Sequence, residues 1–162
     1  MSVAQIAVRK LASFWRLPGF IKLALLPTWV LLGLARLLVL CLPFQALAPR
    51  LGQHVGTCVF IPLIPVHLLG RARLIARLIR TTAQYCPWRA NCFAQAIAAR
   101  VWLKVFGIPY ALYFGLCKNA TQQLSAHAWV CSGPVFVSGG NSFAQFTVVG
   151  TFVSDAAMMG SA

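Results

Sequence analysis

From Phe93 onward the apolar positions change their period, and the change separates a helix from a set of strands. Phe93, Ile97, Val101 and Val105 recur every four residues, which predicts a helix from about residue 92 to 106. Asn91 is a favourable N-cap ahead of it, Pro87 biases the preceding chain toward extended geometry, and Gly107 with Pro109 ends it. Its other faces carry Ala94, Ala98 and Trp102, so the helix is apolar nearly all round and is expected to be buried. Beyond it the period falls to two. Tyr110 to Leu116 reads as a strand, Lys118 to Gln123 as a polar turn and Leu124 to Cys131 as a second strand, after which Ser132-Gly133-Pro134 turns into Val135 to Ser138. Gly139-Gly140-Asn141 is a sharp turn, and Phe143 to Phe152 predicts a last strand. The expected arrangement is an antiparallel meander beside one helix, an α+β fold.

The N-terminal half follows a different pattern. From Leu23 to Ala48 the only charge is Arg36, and the run is long enough to cross a bilayer; Val55 to Gly70 adds a shorter apolar block. Pro27, Gly33, Arg36 and Pro43 interrupt the first block, and an arginine near its middle is costly in lipid. The expectation is therefore a pair of apolar helices lying on the core, on a membrane surface or against a partner protein. Residues 66 to 85 read as an amphipathic helix, with Leu68, Ala72, Ile75 and Ile79 on one face and Arg73, Arg77 and Arg80 on another. The composition shifts near Thr81, which divides the chain into an apolar, basic helical region, 1–80, and a core, 81–162.

Composition narrows the function classes. Sixty per cent of the residues are hydrophobic and only 9% charged, an unusual balance for a soluble protein. Fourteen Lys and Arg against one Asp give a formal charge of +13, and most of the basic residues precede Thr81. Such a field attracts anionic lipid, an acidic peptide or an acidic partner. No recognised nucleic-acid-binding motif accompanies it, so nucleic acid is not an expected ligand. The six cysteines form no Cys-x-x-Cys pair and no Cys/His spacing typical of zinc, and neither a phosphate loop nor a dinucleotide fingerprint occurs. No metal or cofactor is expected, and the cysteines read as reduced thiols of a cytoplasmic protein.

Two residues stand out chemically. Cys92 falls where the capped helix begins, and a helix N-terminus stabilises a thiolate through its dipole and free backbone N–H groups. His127 lies 35 residues later on an alternating strand, sharing one face with Ser125, Trp129 and Cys131 while Leu124, Ala126, Ala128 and Val130 share the other. Together they suggest a nucleophile and its base. Cys86 is a second candidate, but it precedes Pro87 and lacks a helix start. Cys41, Cys58, Cys117 and Cys131 are expected to serve packing, as free cysteines usually do. His54 and His67 are expected to be structural, and Trp88, Trp102 and Trp129 to be core or pocket wall.

The run from Pro87 to Phe152, with Gly107-Ile108-Pro109, Ala126-His127-Ala128-Trp129-Val130, Ser138-Gly139-Gly140 and Phe146-Thr147-Val148-Val149, resembles the protease half of the lasso-peptide biosynthesis B protein. Leu42-Pro43-Phe44 and Ala48-Pro49-Arg50-Leu51-Gly52 are similar to its N-terminal part. The resemblance implies a papain/transglutaminase-like cysteine peptidase that removes the leader from a ribosomally made precursor, with Cys92 and His127 as catalytic residues. It also implies partners: the precursor peptide, a small leader-binding protein and an ATP-dependent macrolactam cyclase; the charge and the apolar N-terminal region add an expected association with the inner, anionic face of the cell membrane. Such peptidases usually complete the site with an aspartate shortly after the histidine. This chain has no acid there, and Asn141, 14 residues past His127, stands at about the place the resemblance gives the third member. An asparagine can orient an imidazole through a hydrogen bond. The only carboxylate, Asp155, lies near the end of the chain and is expected to play no part. Two other readings fit parts of the pattern: a small basic integral or peripheral membrane protein without catalysis, and a cytosolic amidase or acyltransferase on the same core.

Overall fold

The computed structural model of the protein describes residues 18–88, 90–118, 122–140 and 143–159. Asn141, the candidate third member of the site, lies outside them. Three long helices pack on one face of a five-stranded antiparallel sheet. The helices are α1 (Gly19–Cys41), α3 (Val66–Gln84) and α4 (Cys92–Val105), with a single turn α2 (Phe44–Leu47) after the first and a short α5 (Asp155–Met159) closing the described chain. The strands are β1 (Gln53–His54), β2 (Ala111–Lys118), β3 (Leu124–Ser132), β4 (Val135–Ser138) and β5 (Thr147–Val153), in the order β1-β5-β2-β3-β4.

Helix α4 begins and ends as its sequence predicts. The Asn91 side chain accepts a hydrogen bond from the Ala94 N–H at 2.9 Å, which fixes the first turn with Cys92 at its head. At the other end Gly107 adopts a left-handed conformation, and the Ile108 N–H returns to the Leu103 carbonyl at 2.9 Å. Ala94, Ala96, Ala98 and Ala99 are completely buried, so the helix lies at the centre of the core rather than on its surface.

The meander β2-β3-β4 follows the predicted order, with Ala111 opposite Cys131 and Gly115 opposite His127. The last strand differs from expectation in two ways. Phe143–Gln145 forms a 3-10 turn, so β5 starts only at Thr147, and β5 then returns to pair with β2 rather than extending the meander. That pairing is non-local, and no short-range pattern specifies it. The alternation in the strands makes both sheet faces apolar. Leu112, Ala128, Val130 and Phe152 meet the helices, whereas Tyr113, Trp129, Cys131 and Val153 form a second cluster on the opposite face.

The second apolar block does not form a helix over its first part. Residues 55–65 instead run as an extended strap along that second face, and the helix begins only after Pro65. Thr151 donates its hydroxyl to the Cys58 carbonyl at 2.8 Å and its N–H to the Gly56 carbonyl at 2.8 Å, while the Tyr113 hydroxyl donates to the Phe60 carbonyl. These bonds tie the strap's backbone to β2 and β5, although much of its length, Val59, Ile61 and Leu63 included, remains exposed.

Helix α1 is the one helix among the described residues long and apolar enough to cross a membrane. Ile21, Ala24, Thr28, Leu32 and Ala35 nonetheless face the protein at helical spacing. Thr28 donates back to the Ala24 carbonyl at 2.6 Å and accepts from the Trp102 indole N–H at 3.0 Å, tying α1 to α4. The opposite stripe, Leu23, Leu26, Val30, Leu34 and Leu37, is exposed. Cys41 and Cys58 are also exposed, which corrects the expectation that they serve packing. His54 and His67 are exposed as well, though the His54 ring rests on Phe152 at 5.0 Å between centroids.

The second face carries a pH dependence. Burial pushes both the Cys131 thiol and the Tyr113 phenol up to about 12. The folded chain therefore keeps protons that the unfolded chain releases from pH 9.0 for the thiol and 10.0 for the phenol, and stability falls as pH rises through that window. Urea midpoints should be level up to about pH 9 and decline beyond it, with Cys131→Val delaying the onset. A midpoint that rose above pH 9 would contradict this account.

Candidate active site

Cys92 is half-buried at the head of α4, where helix geometry leaves the first backbone N–H groups without intrahelical partners. The rival thiols are less suited to attack. Burial raises Cys86 above its ordinary value, and Cys131 is held neutral in the second cluster. A thiol must ionise to act as a nucleophile, so both shifts count against those residues.

His127 lies on β3 with its ring against Phe146, 5.0 Å between centroids, and Trp129, 5.9 Å. Its alternation partner is the tightly packed Gly115, where a Cβ would approach Phe146 Cβ to 2.7 Å and the Trp129 ring to 2.8 Å. The absence of a side chain at Gly115 thus lets the aromatic pair close around the imidazole. The His127 Nε2 stands 2.7 Å from the Gly139 carbonyl oxygen. A carbonyl can only accept, so Nε2 carries the hydrogen of this bond, which favours the Nε2–H tautomer of an uncharged ring.

Gly139 can present that carbonyl because of its own conformation. Its φ is +68°, and a Cβ there would lie 2.5 Å from the Ala128 carbonyl oxygen and 2.9 Å from Trp129 Cβ. Glycine is required twice over, for the left-handed backbone and for the close approach to β3.

A cavity of about 360 Å³ opens beside the imidazole at β4, the edge strand. Phe136 to Gly140 form one wall, and Ile79, Arg80 and Gln84 of α3 with Gln95 of α4 form the other. Cys92 is not among the described residues that line it. It precedes Gln95 by three positions, however, and residues so spaced are neighbours on a helix surface, about 5–6 Å apart at Cβ. The structure thus brings His127 to a cavity that α4 reaches through Gln95, while Cys92 itself packs, half-buried, against the main core cluster. Gln95 is held in place by donating its amide N–H to the Ala90 carbonyl at 2.7 Å. Asp155 lines a different cavity with Arg100, Lys104 and Tyr110. Among the described residues no group of His, Cys, Asp and Glu side chains is arranged to hold a metal ion.

Sequence reading missed Gln95, Ser138 and the Gly139 carbonyl as members of this site. Gln95 was legible only as one of three polar positions, with Arg100 and Lys104, in a mostly apolar helix. Gly139 carried the signal of paired glycines but reads as a turn until β3 is placed beside it.

The family model for the transglutaminase-like superfamily matches residues 38–151, most of the chain and all of the site just described. The chain belongs to the transglutaminase-like superfamily. Searches of curated proteins and of solved structures gave no match. Membership accounts for the mixed helix and antiparallel-sheet fold, and at superfamily level it points to cysteine-based catalysis. The matched segment begins inside α1, so the family pattern includes α3 and the strap as well as α4 and the sheet.

The hydrogen bond to Gly139 makes a specific claim about the imidazole. In ¹⁵N spectra of the uncharged imidazole, His127 should show the Nε2–H tautomer. A dominant Nδ1–H form would mean that the Gly139 contact does not hold the ring.

Proposed function

We propose that this transglutaminase-like protein is a cysteine peptidase that removes the leader from a ribosomally made precursor in lasso-peptide biosynthesis. What supports the reading is a cysteine at the head of a capped helix and a histidine hydrogen-bonded to the Gly139 carbonyl at a cavity that the same helix reaches through Gln95, within a chain that bears the motifs quoted from Pro87 to Phe152. Cys92 Sγ attacks the carbonyl carbon at the leader–core junction while His127 Nδ1 takes the thiol proton. The backbone N–H of Cys92 faces the developing oxyanion. Collapse breaks the C–N bond, His127 returns the proton to the departing core amine, and water then hydrolyses the thioester to free the leader. The amine passes to an ATP-dependent cyclase, and a small leader-binding protein delivers the precursor.

In this reading the Gly139 carbonyl supplies the orientation that a carboxylate gives elsewhere. Asn141 is proposed as a second, subsidiary orienting group. A cytosolic amidase or acyltransferase would use the same residues and differ only in the acyl donor and acceptor. The exposed apolar stripe of α1 and the arginines Arg73, Arg77 and Arg80 on α3 favour attachment to an anionic membrane surface, with the chain on the cytoplasmic side.

Cleavage of the precursor encoded nearest to this protein, with the leader-binding protein supplied, tests the proposal. Cys92→Ala should abolish cleavage, His127→Ala should lower it by ~10²–10⁴, and Asn141→Ala should cost less than either. Anionic vesicles should sediment the protein and neutral vesicles should not. Retained cleavage by Cys92→Ala would refute the peptidase, and equal binding to both vesicle types would refute the electrostatic attachment.

A further inference from the structure

The cavity beside His127 holds a buried polar atom with nothing to bond. Ser138 is 6% exposed, and its hydroxyl oxygen has no hydrogen-bond partner. An unpaired buried hydroxyl is destabilising, so its retention calls for a partner that arrives from outside. The same cavity lining carries a cation and amide donors, beside the Oε1 acceptors of its two glutamines. Arg80 brings a guanidinium, Gln95 has one amide N–H left after bonding Ala90, and Gln84 contributes a second amide. The chain's only acidic side chain, Asp155, lines another cavity and cannot supply the missing acceptor.

We propose that this cavity is a subsite for a side-chain carboxylate of the peptide substrate, an Asp or Glu close to the scissile bond, held by the Ser138 hydroxyl and the Arg80 guanidinium. The inference rests on the peptidase reading, since His127 lines the same cavity and fixes the distance from the subsite to the reacting carbonyl. Charge-assisted hydrogen bonds to a carboxylate are about twice as strong as neutral ones, so the subsite discriminates Asp from Asn and Glu from Gln. The remaining positive charge of the chain attracts acidic peptides without regard to position, whereas the subsite acts at one position only.

A randomised, N-acetylated decapeptide library read by mass spectrometry separates these effects. Two measurements are made: retention on immobilised full-length Cys92→Ala protein, and cleavage by the native chain. Cleaved peptides should favour Asp or Glu over Asn or Gln by about tenfold at one position near the cut. Arg80→Gln should bring that ratio to near parity. Arg73→Gln, which changes the net charge equally from an exposed position not lining the cavity, should leave the ratio unchanged. Ser138→Ala should lower the ratio several-fold while leaving Tm unchanged or raised, because it removes an unpaired buried hydroxyl. Cleavage without an acidic preference, equal effects of Arg80→Gln and Arg73→Gln, or a lowered Tm for Ser138→Ala would each overturn the subsite and leave the peptidase standing. Position-specific retention that depends on Arg80, with no Cys92-dependent cleavage, would uphold the carboxylate site and overturn the peptidase reading.

Discussion

Everything in this molecule is arranged around a helix that has no solvent face along most of its length. Helix α4 is packed by α1 and α3 on one side and by β3 and β4 on the other, and its alanines at 94, 96, 98 and 99 are fully buried. Small side chains permit close approach between a helix and its neighbours, and close approach fixes the helix in rotation and in height. The consequence is felt at its N-terminus. Asn91 caps the first turn, Cys92 heads it, and Gln95 reaches the cavity where His127 lies. A looser helix would leave the head of α4 without a defined position relative to that cavity, and the proposed pairing of nucleophile and base depends on such a position.

The imidazole is fixed by an equally local device. Parity along β3 turns His127 toward the sheet face opposite α4, among Trp129 and Phe146 rather than against the helix. It nonetheless lines a cavity shared with α3 and α4, whose other lining residues run from Phe136 to Gly140 in and after the edge strand β4. The Gly139 carbonyl then selects the tautomer. A chain with a single acidic side chain can orient its histidine without a carboxylate, provided a glycine brings backbone oxygen close enough.

Much of this was legible in the sequence where the signals are short-range. The four-residue period from Phe93 to Val105 and the flanking Asn91 and Gly107 locate α4 to within a residue, and two-residue alternation places β2, β3 and β4. Longer-range features were not legible. The strap at 55–65 is apolar, but Pro62 and Pro65 disfavour a helix there, and its hydrogen bonds to Thr151 and Tyr113 hold it along the sheet. Pairing of β5 with β2 joins segments some 35 residues apart, and α1 is so uniformly apolar that its buried stripe cannot be told from its exposed one. In the candidate site, local context named Cys92 and His127, and the structure places Cys92 at the head of α4 and His127 at the cavity. Gly139 escaped because its contribution is a backbone atom, and Ser138 because its hydroxyl gains meaning only from burial.

The central claim is that His127 acts on Cys92, and the alkylation rate of Cys92 tests it without knowledge of any substrate. Iodoacetamide modification, followed residue by residue through mass spectrometry, isolates Cys92 from the exposed Cys41 and Cys58. If the imidazole assists ionisation of the thiol, His127→Ala should slow modification of Cys92 at neutral pH by about tenfold or more and leave Cys41 and Cys58 unchanged. An unchanged Cys92 rate in a folded His127→Ala protein would contradict the account.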